Sequence, residues 1–259
     1  MLHRDNPQES STPRIYLGIA GWNIRREHGD KFPQAGTHLE RYAGVFNAVE
    51  INSCFYRPHR FGTYERWAAC VPETFRFAVK LPKVITHEAR LVDAGPAMDR
   101  FLAETAGLGP KRGPILVQIP PSLSFDQTVA LRFFGELRDR FDGDVVFEPR
   151  HETWFTSEVE SMLINHRVAR AGADPARVPA AAAPSGYDRI AYLRLHGSPR
   201  VYYSAYPAGE LERITAMLEK NADLGISSWC IFDNTAMGAA TADALTVRSL
   251  LLDSQRAMR

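Results

Sequence analysis

Charged and amide side chains stand inside stretches of this sequence that otherwise have the composition of buried strands. In AVEINSCFYRPH, residues 48–59, Glu50 and Asn52 lie two apart and are flanked by Val49 and Ile51. A buried carboxylate needs a partner, because desolvation of the charge costs several kcal/mol or shifts its pKa. Glu50 is therefore a candidate either for general acid–base chemistry or for a buried ion pair.

The same alternation of polar and apolar residues recurs in four further stretches. Successive residues of a strand point to opposite faces, so residues two apart share a face. Each of the five stretches has one apolar and one polar face, and the polar faces carry Glu50 and Asn52, Lys80, Gln118, Glu148 and Arg150, and Tyr192, Arg194 and His196. Two carboxylates against three fixed cations predict a bound anion that balances the charge, and arginine offers bidentate recognition of anions.

Strand-like and helical segments alternate along the chain and would position these side chains. Eight apolar runs have the length of strands and occupy residues 15–22, 48–55, 75–82, 114–121, 144–151, 167–174, 190–197 and 227–234. Segments with helical spacing lie between most of them, at residues 37–46, 62–71, 97–108, 126–141, 156–166, 207–225 and 241–253. This alternation indicates βαβ units, and eight repeats in 259 residues predict an α/β fold of the TIM type, a parallel eight-stranded (β/α)8 barrel.

The predicted organisation is a single barrel domain over residues 14–259, preceded by a flexible leader over residues 1–13. The sixth unit is expected to be irregular, since residues 175–188 have the composition of a loop rather than a helix. An open doubly wound sheet is the alternative fold. Against it, no G-x-G-x-x-G motif follows the first strand.

A barrel of this type is covered by helices, so the apolar strand faces should point outward and the polar faces into the upper interior. Barrel enzymes place their active sites at that end. The predicted catalytic residues are Glu50, Glu148, His87 and His196. The predicted substrate-binding residues are Asn52, Tyr56, Lys80, Thr86, Gln118, Arg150, His151, Trp154 and Arg194.

The expected partner of Glu50 is a cation across the mouth of the barrel, and Lys80 on the adjacent strand is the nearest candidate. If Lys80 and Arg194 hold an anionic ligand, replacing either with Met should abolish binding and leave the fold intact. A purely structural network of buried ion pairs is the alternative. Apolar side chains replace such pairs at little or no cost, which favours a ligand.

Bulk composition excludes several classes of protein. The net charge of +1 gives no global basic field for nucleic acid, and no apolar run approaches the ~18 residues that a membrane helix needs. The three cysteines lack disulfide or zinc spacing, and the polar first residues lack a signal sequence, so a cytoplasmic location is expected. No cofactor is predicted. A divalent metal is a minor alternative, because no compact ligand motif occurs and the three cations would repel it.

Seven motifs occur in an order that resembles a known family. They are GIAGW, VEINSCFYR, FRFAVKLPKVITHEARL, PILVQIPPS, FEPRHETWF, AYLRLHG and FDNT, between about Ile15 and Leu251. This order is similar to that of the YecE-like family, a bacterial and archaeal domain of unknown function (DUF72). The resemblance implies a TIM barrel and the site residues named above, but no reaction. Two departures are Ala20, which replaces a hydroxyl residue, and Asp233, which replaces an amide.

Three functions remain open from the sequence. The first is an enzyme that acts on an anionic small molecule, with a carboxylate and a histidine as acid and base. The second is a nucleic-acid-processing barrel that contacts phosphates through Arg57, Arg60, Lys83 and Arg200, although the net charge weighs against it. The third is a barrel that binds a metabolite without transforming it. The substrate, the reaction and the oligomeric state are not specified by the residues.

Overall fold

The computed structural model describes residues 14–257. Within this range the strands are β1 (Ile15–Ile19), β2 (Ala48–Ile51), β3 (Arg76–Lys80), β4 (Arg112–Gln118), β5 (Val145–Glu148), β6 (Val168–Arg170), β7 (Gly172–Asp174), β8 (Ser185–Gly186), β9 (Ile190–Leu195) and β10 (Ser227–Phe232). The α-helices are α1 (His38–Ala43), α2 (Ser53–Tyr56), α3 (Phe61–Ala69), α4 (Gly95–Thr105), α5 (Gln127–Arg140), α6 (Ser157–Asn165), α7 (Ala208–Asp223) and α8 (Ala239–Ala257). The predicted leader, residues 1–13, lies outside the described residues.

Backbone hydrogen bonds arrange the strands in two sheets. One has the order β1-β10-β9-β7 and the other the order β2-β3-β4-β5-β6-β8, and every pairing is parallel except that of β6 with β8. Strands β6 and β7 are separated in the chain by Ala171 alone, yet β6 pairs with β5 whereas β7 pairs with β9. The α/β class with parallel strands is confirmed. A single closed eight-stranded sheet is not defined by these pairings.

Side chains bridge most of the gap between β1 and β2. The Asn47 side chain accepts from the Leu17 N–H at 2.8 Å and donates to the Ile15 carbonyl at 2.8 Å. The Tyr42 hydroxyl accepts from the Ile19 N–H at 2.9 Å and donates to the Ala48 carbonyl at 2.8 Å. These groups satisfy backbone atoms that a regular sheet would pair with each other.

The sixth unit contains no α-helix within the described residues. Its chain forms a short 3-10 turn over Pro179–Ala182 and then β8, which pairs with β6 in the antiparallel direction. Prolines at positions 175, 179 and 184 explain this, because a proline lacks the N–H that a helix interior requires. The strand predicted over residues 48–55 also ends early, at Ile51, because α2 begins at Ser53.

The two faces of the strands bury different apolar clusters. The interior cluster has no helix residue and consists of Ala48, Ala78, Leu116, Val146, Ala169, Ala171, Ile190, Tyr192, Trp229 and Ile231. The larger outer cluster joins alternate strand residues such as Val79 and Val117 to helix residues such as Phe134 and Leu218. This separation matches the predicted parity, in which the apolar strand face meets the helices.

The polar residues of the strands continue the interior cluster toward the carboxyl ends. Six polar residues follow a member of that cluster by two positions, as the pairs 48/50, 78/80, 116/118, 146/148, 192/194 and 231/233 show. Since residues two apart share a face, the fold stacks a polar layer on the interior apolar layer. Within the described residues, no helix is long and apolar enough to cross a membrane.

Candidate functional site

Arg194 on β9 is the centre of the polar layer. Its side chain is 1 % exposed, and its Nε and Nη2 donate to the two carboxylate oxygens of Glu50 at 2.9 and 2.7 Å. Nη2 also donates to Asp233 Oδ2 at 2.9 Å, and Nη1 donates to Glu148 Oε2 at 2.6 Å and to His196 Nε2 at 3.0 Å. A guanidinium has five N–H donors, so none remains for a ligand. The predicted role of Arg194 in substrate binding is therefore not supported by its contacts.

Both oxygens of the Glu50 carboxylate and both of the Glu148 carboxylate are engaged as well. Glu50 Oε2 accepts a second bond, from the Tyr192 hydroxyl at 2.8 Å, and Glu148 Oε1 accepts from Arg150 Nε at 2.8 Å. Burial favours the neutral acids, but the charge of Arg194 outweighs it and holds the pKa of both carboxyls below the usual range. The expectation that Lys80 pairs with Glu50 was wrong, because Arg194 and Tyr192 take both oxygens.

Asp233 follows β10 and completes the ring of carboxylates around the guanidinium. Burial raises its pKa to about 6; the nearby Glu50 acts in the same direction, and Arg194 opposes it. Only Oδ2 is engaged by Arg194, and Oδ1 has no hydrogen-bond partner within residues 14–257. A carboxyl group that titrates near neutrality and keeps one free oxygen is suited to proton transfer.

His196 accepts hydrogen bonds from two arginines. Arg150 Nη2 lies 3.1 Å and Arg194 Nη1 lies 3.0 Å from its Nε2, which assigns the ring proton to Nδ1. Nδ1 lies 3.2 Å from the carbonyl oxygen of Asp174. Burial, together with the charge of Arg194, lowers the pKa of His196 to about 4. At neutral pH the ring is thus a neutral acceptor whose only proton is bonded to backbone, so its geometry does not favour the predicted proton-transfer role.

Lys80 belongs to the polar layer, but its ammonium group lacks a polar partner. Among the described residues, no carboxylate oxygen lies within 4.0 Å of its Nζ, which stands 4.2 Å from the centre of the Phe55 ring. Burial lowers the pKa of Lys80 to about 8, and the positive charge of Arg194 adds to this effect. A large fraction of this amine is therefore unprotonated under mildly alkaline conditions.

Phe55 also contacts the predicted catalytic residue His87. The His87 ring meets the Phe55 ring edge to face at 4.9 Å, and its Nδ1 lies 2.9 Å from the hydroxyl of the buried Thr86. Burial and the charge of Lys80 lower the pKa of His87. The buried Oδ1 of Asn52 has no partner in the described part of the chain. Gln118 donates from Nε2 to the carbonyl of Ile119 at 2.9 Å.

Three predicted binding residues lie outside this layer. Trp154 is 2 % exposed and belongs to the outer cluster, where it packs on Phe147, so the prediction that it lines the site is wrong. His151 accepts from the Thr153 N–H at 3.3 Å and caps a short turn. Tyr56 is 80 % exposed and lies at the end of α2, beyond the carboxyl end of β2.

A cavity of about 220 Å³ adjoins the network and is lined by Glu148, Arg150, His196, Arg177 and Val201, among others. Nη1 of Arg150 and the guanidinium of the exposed Arg177 have no hydrogen-bond or ion-pair partner within residues 14–257. Arg177 lies in the irregular sixth unit, where no strand pattern could indicate it. Strand parity already places Tyr192 on the polar face with Arg194, and Asp233 could have been added to the site because it continues the parity of Ile231.

No group of three or more His, Cys, Asp or Glu side chains in the described range is arranged to hold a metal ion. The guanidinium of Arg194 stands at the point where the three carboxylates converge. All three carboxylates are thus already bonded to one guanidinium.

The observations define an α/β protein whose parallel strands carry a buried arginine–carboxylate network at their carboxyl ends. The chain belongs to the family described as "Protein of unknown function DUF72", which matches residues 16–258. It is 30% identical over 160 residues to the UPF0759 protein YecE of Escherichia coli K12, and 29% identical over 116 residues to the UPF0759 protein YunF of Bacillus subtilis. These alignments cover 61% and 41% of this chain and 56% and 40% of those proteins.

Two solved structures share the fold. A DUF72 family protein of Thermotoga maritima superposes with a TM-score of 0.75 at 22% identity, over 92% of this chain and 99% of that one. A DUF72 family protein of Enterococcus faecalis gives a TM-score of 0.76 at 21% identity, over 92% and 95% of the two chains. At this level of identity the likeness supports the fold alone.

Proposed function

We propose that this protein is an enzyme that performs acid–base chemistry on an anionic small molecule at the carboxyl ends of its parallel strands. One observation carries the proposal: beside a saturated arginine–carboxylate network stand two groups that titrate near neutrality. Burial lowers the pKa of Lys80 to about 8 and raises that of Asp233 to about 6. Opposed shifts of this kind are typical of catalytic acids and bases.

The roles within the site follow from which atoms are free. Glu50, Glu148 and Arg194 hold one another and would position the layer. Lys80, Asp233 and His87 keep atoms that can exchange protons. The anion would lie in the adjoining cavity, where Arg150 Nη1 and the Arg177 guanidinium offer unused N–H donors.

The scaffold of this proposed site is a (β/α)8 barrel. Its support is that β6 and β7 form one chain segment that continues both sheets, while Tyr42, Asn47 and the Ala20–Glu50 bridge connect β1 with β2. A Cβ on Gly18 would overlap the carbonyl oxygen of Ala48, so these two strands approach closely. In such a barrel the site would lie at the carboxyl ends of the strands, which is where barrel enzymes have their active sites.

A thermal-shift screen of phosphorylated and carboxylated metabolites tests this function. At least one class of anion should raise the melting temperature, and Arg177→Met should weaken its binding by about tenfold or more, because a charge-assisted hydrogen bond contributes about 1.5–3 kcal/mol. Arg213→Met is the matched control, since Arg213 is exposed and paired with Glu210 on α7. Stabilisation without product formation would favour a metabolite-binding protein, and no stabilisation by any anion removes the proposal.

A nucleic-acid function is the second candidate, because Tyr56 is 80 % exposed at the end of α2 and is followed by Arg57, which has no ion-pair partner in the described range. Phe61, which is 49 % exposed, likewise neighbours an arginine in the sequence, Arg60. Exposed aromatic rings next to arginines suit the stacking of single-stranded bases. The net charge of +1 makes this the weaker candidate.

Fluorescence anisotropy with labelled single- and double-stranded oligonucleotides decides the matter. If the function holds, binding falls steeply as salt rises, and Tyr56→Ala weakens single-strand binding by about tenfold, given about 1–3 kcal/mol for each stacked base. Leu224→Ala, on an exposed residue after α7, is the control. Absence of binding at low salt eliminates this candidate.

A further inference from the structure

Lys80 differs in its environment from every other lysine of the chain. The sequence has five lysines, at positions 31, 80, 83, 111 and 220. Lys31 and Lys83 form exposed ion pairs with Asp30 and Glu88 at 3.0 and 3.2 Å. Lys220 is exposed on α7. Of these five lysines, only Lys80 is largely buried and yet has no polar partner within the described residues.

Lys111 shows what a structural lysine looks like in this protein. It is buried, and its Nζ donates to the carbonyls of Ala68 and Val71 at 2.9 and 2.8 Å and lies 3.0 Å from Glu73 Oε1. Burial of an ammonium normally requires such a set of acceptors. Lys80 lacks them, although three carboxylates lie nearby.

The surrounding contacts keep Lys80 free. Both carboxylate oxygens of Glu50 and of Glu148 are bonded to arginines or Tyr192, so neither can turn toward Nζ without breaking a buried bond. Phe55 supplies an apolar wall 4.2 Å away. The result is an amine presented beside a polar layer, which is the environment of lysines that act as nucleophiles.

We propose that Lys80 forms a covalent imine with the substrate, which is therefore an aldehyde or ketone that also carries a phosphate or carboxylate. This rests on the proposed function, which supplies the anionic group. The neutral Nζ attacks the carbonyl carbon, a C–N bond forms, and one of the two Nζ protons is transferred to the carbonyl oxygen. The resulting carbinolamine loses this oxygen as water when its C–O bond breaks, and the nitrogen lone pair forms the C=N bond.

Asp233 and Lys80 each shift the pKa of the other through their charges. We assign to Asp233 the proton transfers of this sequence. Its Oδ2 is held by Arg194, and its Oδ1 is free among the described residues. The neutral acid donates a proton to the departing hydroxyl, and the resulting carboxylate accepts the second Nζ proton as the C=N bond forms. No oxidant or reductant is needed, since imine formation condenses the amine with the carbonyl group and releases one water.

Reductive trapping with pyridoxal 5′-phosphate, which joins an aldehyde to a phosphate, tests the inference. The folded protein is incubated with the probe at pH 7.5, reduced with borohydride, and mapped by peptide mass spectrometry. Roughly a quarter of the Lys80 amine but on the order of 0.1% of an ordinary lysine amine is unprotonated at that pH. We expect Lys80 to be labelled at least about tenfold more than Lys220 and Lys83, and Lys80→Arg to remove this label alone. Asp233→Asn should slow labelling and leave its site unchanged.

Two results would overturn the inference: an even distribution of label over the exposed lysines, or an unlabelled Lys80 in a protein whose other lysines react. Pyridoxal without the phosphate separates this inference from the proposed function. If Lys80 reacts equally with both probes and no anion stabilises the protein, the amine is a nucleophile but the anion site is wrong. If anions bind through Arg177 while Lys80 stays unlabelled, the anion site stands and the imine is wrong.

Discussion

Arg194→Met is expected to lower the free energy of unfolding by roughly 3–5 kcal/mol, because it leaves buried carboxylates without their cation. Glu50 has Tyr192 as its only other hydrogen-bond donor in the described chain, and both Glu50 and Glu148 are almost completely buried. For a protein of this size the loss corresponds to a fall in melting temperature of roughly 6–20 °C. Denaturant unfolding monitored by circular dichroism measures it. The result would correct the sequence-based expectation that this substitution spares the fold.

Two further variants separate this cause from a general loss of arginine. Arg177→Met removes an exposed guanidinium with no partner in the described range and should change stability by less than about 0.5 kcal/mol. Adding Glu50→Gln to Arg194→Met should restore part of the lost stability, because it removes one of the buried carboxylate charges that Arg194 no longer pairs. Glu50→Gln alone should destabilise the protein. An Arg194→Met protein within about 1 kcal/mol of the natural one would contradict the assignment of Arg194 as the centre of the network.

The layer of polar residues could be predicted because alternation with period two reports which side of a strand is buried. Glu50, Lys80 and Gln118 follow Ala48, Ala78 and Leu116 of the interior cluster, and this spacing is visible in the sequence. Asp233 obeys the same rule after Ile231. Strand parity thus identifies the members of the layer without knowledge of the loops or of the closure of the sheets.

Pairing within the layer could not be predicted in the same way. Lys80 lies on the strand next to Glu50, whereas Arg194 lies 144 residues further along the chain and reaches Glu50 across the interior. A guanidinium fork binds both carboxylate oxygens at once, so geometry rather than proximity along the sheet decides the partner. Loop residues carry still less information: Trp154 packs in the outer cluster, while Arg177 faces the cavity, and no periodicity distinguishes them.

Lys80→Met should stabilise the protein at pH 7 while abolishing imine formation with pyridoxal 5′-phosphate at this position. The pKa of Lys80 is about 8 in the folded protein against 10.5 for the ordinary side chain, so the folded state opposes the charge. The unfolded state therefore binds more protons between pH 8 and 10.5, and the stability of the natural protein rises with pH in that window. Below pH 8 the full cost of the ammonium is present, about 3 kcal/mol, and Met removes it.

The sign and the pH dependence of this effect distinguish a functional amine from a structural one. At pH 9.5 the advantage of Lys80→Met should shrink by about half or more, because the folded state then holds the amine neutral and the remaining cost is only that of removing a proton from an amine whose pKa in the unfolded chain is 10.5. Lys111→Met is the matched control: it deprives the Ala68 and Val71 carbonyls of their donor and should destabilise by about 1–3 kcal/mol. If Lys80→Met destabilised the protein as well, Nζ would have a polar partner in solution and could not be a free nucleophile. A gain in stability together with a loss of imine formation is what an enzyme shows when it keeps a buried, unpaired amine for its chemistry.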